Sequence, residues 1–204
     1  LKCPYCHSRD LVYLKENMYP IVTEKINEYL ESHRKDLDGI YISGGEPLMH
    51  EGVVSFLQYA KTLNYKIKIH TNGMFYERLK TILAQKLVDH VSLDIKNAPS
   101  AYAKTCGVED MDLKDIEKSL DLLKQSAVPY DICVTLVDEL HNQAMIEELG
   151  QWIQGVDTVI LQPFEDSETT IDHSLHRPSF ETVLKYKKIF EKYVKYVKIR
   201  GDQA

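Results

Sequence analysis

Two thiols stand three apart near the start of the sequence, in Cys3-Pro4-Tyr5-Cys6, with an aromatic residue just before the second. A Cys-x-x-Cys pair can hold zinc, act as a redox dithiol or give two thiolates to an iron–sulfur cluster. The pair alone does not choose, because two thiolates complete none of these metal sites. A second set of reactive residues lies where short apolar runs end. Gly44-Gly45-Glu46 follows Ile40-Tyr41-Ile42, and His70-Thr71-Asn72 follows Lys66 to Ile69. Asp94 and Lys96 close the run from Val88 to Leu93, and Gln162 closes the run from Thr158 to Leu161. Glycines let a ligand approach the backbone closely. An acid beside them can bind an ammonium group, and Lys96 can bind a carboxylate as a point charge. These are matched partners for a zwitterionic amino acid.

Such residues need elements to position them. Helical spacing of apolar residues is expected over Tyr19–Arg34, Val53–Leu63, Tyr76–Gln85, Leu113–Gln125, Gln143–Ile153 and Phe180–Tyr193. Between them lie strand-type runs at Ile40–Ile42, Lys66–Ile69, Val88–Leu93, Tyr130–Leu136, Thr158–Leu161 and Tyr196–Ile199. Polar connections are expected over Ser8–Asn17, Asn97–Met111 and Glu165–Pro178. Strands alternating with helices of ten or more residues indicate parallel βαβ units. The expectation is an open or closed parallel barrel, with a flat doubly wound sheet as the competitor. In either fold, ligands meet the loops at the C-terminal ends of the strands, where these residues fall. A further strand is expected before Leu1, for the cysteine loop to leave from. No linker or domain boundary interrupts the pattern, so residues 1–204 read as a single domain.

Bulk properties narrow the classes. The 204 residues are 44% hydrophobic, enough for a core. Lysine and arginine number 25 against 31 acidic residues, a net charge of -6. Without a basic excess, nucleic acid is not the expected partner. No apolar run approaches the ~18 residues of a membrane span, and no signal peptide is visible. Four cysteines in a chain of this length are not a disulfide framework, so a reducing cytoplasm is expected.

Each residue set also has a plainer reading. Gly44-Gly45 can be a tight strand-to-helix turn, with Glu46 favoured near a helix start. Asp94 and Lys96, two apart on a strand, share a face and can be a simple ion pair. Asn72-Gly73 is a common turn. Cys106 is expected as an exposed loop thiol and Cys133 as a small core residue. The histidines show no H-E-x-x-H spacing, which leaves a zinc hydrolase without support.

The combination is more specific than its parts. Lys2-Cys3-Pro4-Tyr5-Cys6-His7, followed by Ile42-Ser43-Gly44-Gly45-Glu46-Pro47-Leu48, resembles the radical S-adenosylmethionine superfamily. The hallmark there is Cys-x3-Cys-x2-Cys, and Cys3 and Cys6 match its last two thiols; the first would lie two positions before Leu1. Thr71-Asn72-Gly73, Val91 to Lys96, Ser126 to Tyr130 and Leu161 to Phe164 resemble the branch that makes glycyl radicals on partner enzymes, most of all the activating proteins of anaerobic ribonucleoside-triphosphate reductase.

The resemblance implies a partial (β/α)6 TIM-like barrel whose first strand precedes the chain. It also implies a [4Fe–4S] cluster, with Cys3 and Cys6 among its ligands, and S-adenosylmethionine bound at the open iron. Tyr5 takes the position near the adenine. Gly44, Gly45 and Glu46 take the segment that binds the methionine amino group. Asp94 and Lys96 take positions near the ribose and carboxylate, and Asn72 and Gln162 take cofactor-face positions. His70 stands where relatives often carry an acid. The implied chemistry is one-electron cleavage of S-adenosylmethionine to a 5′-deoxyadenosyl radical, which abstracts hydrogen from a partner glycine. Flavodoxin or another low-potential donor would supply the electron. A radical enzyme acting on a small molecule, as in deazapurine synthesis, is the alternative. A Cys-x-x-Cys dithiol or zinc-binding module is the reading from another class.

Overall fold

The computed structural model describes residues 1–13, 19 and 21–201. Its elements in chain order are α1 (Arg9–Val12), α2 (Thr23–Ser32), β1 (Gly39–Ile42), α3 (Val53–Thr62), β2 (Lys66–Thr71), α4 (Tyr76–Ala84), β3 (His90–Asp94), α5 (Tyr102–Thr105), α6 (Lys114–Gln125), β4 (Tyr130–Leu136), α7 (Gln143–Trp152), β5 (Thr158–Pro163), α8 (Phe180–Phe190) and β6 (Tyr196–Ile199). One-turn 3-10 helices at Pro47–Met49 and Pro99–Ala101 fill two of the loops. The six strands form one parallel sheet in the order β1-β2-β3-β4-β5-β6. A doubly wound sheet reverses its strand order at a switch point. This sheet runs straight through in chain order and is not closed, the arrangement of a partial barrel.

Three expected segments differ in detail. The helix expected from Tyr19 begins at Thr23, because Val22 is extended at φ -64° and ψ 142°. Within the connection expected over Ser8–Asn17, Arg9–Val12 form a helical turn, while residues 14–17 lie outside the described residues. The insertion expected over Asn97–Met111 contains two short helices and buries Ala98, Ala101, Tyr102, Thr105 and Cys106.

Two compact units divide the chain. One comprises Leu14–Ser92 with Asp115–Tyr130. Within it β1 and β2 pair in parallel, with Ile40 opposite Ile67 and Ile42 opposite Ile69. Alternation along β2 buries Ile67, Ile69 and Thr71. In α6, Ile116, Ser119, Leu120 and Leu123 recur at helical spacing and are buried. The Tyr65 hydroxyl donates to the Leu30 carbonyl at 2.7 Å, which fixes α2. Asp89, just before β3, accepts from the Ile67 N–H at 2.8 Å and from Lys61 and Lys66.

The other unit comprises Leu1–Tyr13, Leu93–Lys114 and Asp131–Ala204. Here β4, β5 and β6 pair in parallel, with Val134 opposite Leu161 and Leu161 opposite Ile199. The Asn142 side chain caps α7 by accepting from the Met145 N–H at 3.0 Å. His141 is buried, with Nε2 3.1 Å from the Lys96 carbonyl, and burial holds its pKa below the usual range. It is a structural residue of the core. Cys133 is buried in β4, as expected, and burial pushes its thiol up to about 12. No helix among the described residues is long and apolar enough to cross a membrane.

Asp89 gives a stability prediction. Burial works to raise its pKa, but the bonds from Lys61 and the Ile67 N–H outweigh it and lower the carboxyl. A folded-state pKa below the unfolded value adds stability above the unfolded value, about 3.9, and loses it as pH falls through the folded one. Asp89→Asn is expected to cost about 1 kcal/mol at pH 7, at the low end for a charged hydrogen bond because the side chain is 30% exposed. Urea denaturation of both proteins should show this gap shrinking below about pH 4.

Candidate functional site

The site residues expected from sequence fall into one cluster in each unit. In the unit that begins at Leu1, the cysteine loop is a tight turn closed by a Cys6 N–H to Cys3 carbonyl bond of 3.0 Å. Three backbone bonds pin it. The Ile171 N–H donates to the Cys6 carbonyl, the Asp172 N–H to the Pro4 carbonyl, and the Lys2 N–H to the Cys106 carbonyl. The segment expected as a loop over Glu165–Pro178 therefore holds the cysteines in place. Cys3 is buried and Cys6 partly so, and both are free thiols. The Ser8 N–H points at Cys6 Sγ at 3.4 Å. The His7 ring packs edge-on against Phe164, with Nδ1 3.3 Å from the Ser167 hydroxyl.

Lys96 and Asp94 stand beside this loop. Their ion pair measures 2.5 Å, with the side chains 13% and 17% exposed. Lys96 Nζ also lies 5.7 Å from the centre of the Tyr5 ring. Burial opposes the Lys96 charge, but Asp94 and then Cys3 outweigh it and hold the ammonium above its ordinary range. Tyr5 is buried, its phenol is pushed up by that burial, and its hydroxyl has no hydrogen-bond partner of normal geometry among the described residues. Gln162, at the end of β5, donates from Nε2 to the neighbouring Pro163 carbonyl at 3.2 Å.

Cys106 corrects an expectation. It is fully buried, not an exposed loop thiol, because α5 folds the insertion inward. Its thiol interacts with that of Cys3, and this interaction brings Cys3 down to about 6 against the opposing effect of burial. The same interaction, together with burial, raises the Cys106 thiol. The run Ala98, Ala101, Tyr102, Thr105 at short helical spacing was the available signal. It is too brief to stand out from a polar insertion.

In the other unit, Glu46 is the centre. It is buried, and its carboxylate takes three donors: the Leu48 N–H on Oε1 at 3.0 Å, the Thr71 hydroxyl on Oε1 at 2.7 Å, and the Asn72 N–H on Oε2 at 2.7 Å. Burial raises its pKa and these bonds oppose the rise. Gly44 has φ +125°, a conformation that favours glycine. Side chains built at Gly44 or Gly45 would meet no atom within 4 Å, so this backbone is open to approach. Asn72 Oδ1 accepts from the Met74 N–H at 3.0 Å, so its side chain shapes the turn. His70 Nδ1 lies 2.6 Å from the Tyr41 hydroxyl.

Among the described residues no group of three histidine, cysteine or acidic side chains could hold a metal ion. Cys3 and Cys6 nevertheless fit two positions of an iron–sulfur site. They are soft donors on one tight loop, one of them lowered toward the thiolate and the other facing a backbone N–H. Within its own unit the open Gly44-Gly45 backbone leaves room for a ligand to approach, and within its unit the cationic Lys96 suits a carboxylate.

Comparison with known proteins adds a family. The pattern of the Radical SAM superfamily matches residues 1–153. A Methanocaldococcus jannaschii protein described as a glycyl-radical enzyme activating enzyme is 30% identical over 206 residues, covering 98% of this chain and 84% of its own length. A GTP 3′,8-cyclase of Alkaliphilus oremlandii is 24% identical and covers 74% of this chain, which spans only 48% of that relative. Among solved structures, a domain of pyruvate-formate lyase-activating enzyme from Bacteroides vulgatus matches with TM-score 0.63 at 19% identity, covering 80% of this chain and 99% of that one. Streptococcus suis SuiB bound to S-adenosylmethionine matches with TM-score 0.73 at 14% identity, covering 98% of this chain and 48% of that one. At such identities the structural likenesses establish the fold.

The seating of the cysteine loop is testable at Gly107. Its φ is +67°, and a side-chain carbon there would lie 2.4 Å from the Lys2 carbonyl oxygen, a backbone atom. Gly107→Ala is expected to shift the loop at a cost of about 1–3 kcal/mol. Iron per chain after anaerobic reconstitution should fall by at least half. Unchanged iron content and melting temperature would show that the contact does not position Cys3.

Proposed function

Because this chain belongs to the radical S-adenosylmethionine superfamily, we propose that it is an activating enzyme that generates a glycyl radical on a partner protein. The family uses a [4Fe–4S] cluster and S-adenosylmethionine, and this chain is an enzyme of that type. The observation that carries the finer reading is the 30% identity to the glycyl-radical enzyme activating enzyme over nearly all of both chains. The pyruvate-formate lyase-activating domain, matched over almost its full length, shares the fold. The partner we favour is an anaerobic ribonucleoside-triphosphate reductase, from the resemblance of the strand-end motifs. A flavodoxin-type donor, a cytoplasmic location and a single core domain over residues 1–204 belong to the same reading.

The residue roles follow from the chemistry of each side chain. Cys3 and Cys6 supply thiolates to the cluster. When bound, the cluster supplies the electron that cleaves the sulfonium and so leads to hydrogen abstraction from the partner's glycine. Lys96 stays cationic beside Asp94 and holds the ligand carboxylate, with Asp94 near the ribose. Glu46 and the Gly44-Gly45 backbone receive the amino group, and Tyr5 covers the adenine side. Gln162 in one unit, and Asn72 and His70 in the other, are assigned to the cofactor as well, with Asn72 also serving its turn. Tyr5, buried beside Lys96, helps keep water from a reactive radical.

A second reading rests on the GTP 3′,8-cyclase relatives, which would make the substrate a small molecule. It has less support, because this chain spans about half of the matched cyclase. The dithiol or zinc-binding reading leaves Glu46 and the Asp94–Lys96 pair without a task.

The experiment is electron paramagnetic resonance on the anaerobically reconstituted protein with S-adenosylmethionine and a low-potential reductant. The partners would be an anaerobic ribonucleotide reductase and, separately, pyruvate formate-lyase. A glycyl radical on the reductase that changes when its glycines carry deuterium is the expected result. Cleavage of S-adenosylmethionine with no radical on either partner would favour the small-molecule reading.

A further inference from the structure

We propose that Thr71 is a positioning residue for the amino group of S-adenosylmethionine, acting through the Glu46 carboxylate. The inference rests on the reading above that Glu46 and its glycines receive that group.

The argument begins with acceptor capacity. An ionised carboxylate offers about four lone-pair positions. Three are taken in Glu46, which leaves one on Oε2 for a cationic donor. Two of the three donors, the Leu48 and Asn72 N–H groups, belong to the backbone. Thr71 is the side-chain donor. Its hydroxyl accepts from the Gly73 N–H at 3.2 Å, so its own proton is directed to Glu46 Oε1 at 2.7 Å.

The placement of Thr71 is fixed by the strand. Alternation along β2 turns it inward with Ile67 and Ile69, and it is 1% exposed. A buried hydroxyl must be hydrogen-bonded, and this one is bonded twice. Meanwhile the Gly44-Gly45 backbone has open space where side chains would be. The loop after β1 is thus tied to the end of β2 through the Glu46 side chain. Without Thr71, Oε1 would keep one donor, and the carboxylate could turn about its last torsion away from the geometry that suits an ammonium. The bonds to the carboxylate also oppose the rise in its pKa caused by burial, which favours the anion that a cation requires.

A purely structural role would also bury a satisfied Thr71, so the test separates the two. Affinity is measured by calorimetry on the anaerobically reconstituted protein, for S-adenosylmethionine and for its analogue lacking the amino group. Thr71→Val is nearly isosteric but lacks the hydroxyl. It should weaken S-adenosylmethionine about tenfold or more, the size of one lost charged hydrogen bond, and leave the deaminated analogue unchanged. Thr71→Ser should restore affinity to within about twofold. Thr71→Ala, which removes the same hydroxyl, gives the same comparison should the valine variant fail to fold. Equal weakening for both ligands, or none, overturns the role of Thr71. Failure of the unaltered protein to bind S-adenosylmethionine overturns the reading on which the inference rests.

Discussion

A buried ammonium is tolerable only when it is paired, and the Lys96–Asp94 ion pair is the constraint around which the cysteine-bearing unit is arranged. Asp94 ends β3 and Lys96 follows two residues beyond it, close enough for the two side chains to pair. Tyr5 lies beside Lys96, and the Lys96 charge helps hold the Cys3 thiol low. Removing either partner would leave a lone buried charge, which is far costlier than replacing both. The pair is therefore weak evidence for stability and better evidence for function. It keeps a positive charge beside two thiols where solvent alone would not.

The Glu46 carboxylate solves the opposite problem by other means. It accepts from three neutral donors, and the nearby His70 also favours the anion. Neutral donors stabilise the anion without cancelling it, so the carboxylate retains an attraction for a cation. Lys96, already paired, can still meet a second anion because an ammonium has three donors. Glu46 and Lys96 thus each keep hydrogen-bonding capacity to spare, which on the proposed reading is taken up by a ligand.

Much of this was legible in the sequence because parallel strands put chemistry at their ends. The runs closing at Glu46, Thr71 and Asp94 were visible as β-type segments, and β4 and β6 matched their expected bounds. Helix starts were less legible. Val22 is extended although its apolar neighbours continue a helical spacing, because spacing does not report the dihedral that begins a helix. The burial of Cys106 was not legible either, since one helical turn has no periodicity to detect. Thr71 was visible as part of the strand-end run and of the Thr71-Asn72-Gly73 motif, but not as a partner of Glu46. Its importance lies in a contact to Glu46 across two loops, and pair contacts of that kind leave no local pattern in one sequence.

The central claim is that this chain is a radical enzyme that cleaves S-adenosylmethionine reductively. The most direct test incubates the reconstituted protein anaerobically with S-adenosylmethionine and dithionite, then quantifies methionine and 5′-deoxyadenosine. The account predicts both products in equal amounts, formed only with reductant present and lost when Cys6 is replaced. Recovery of intact S-adenosylmethionine from protein that carries a full complement of iron would contradict it.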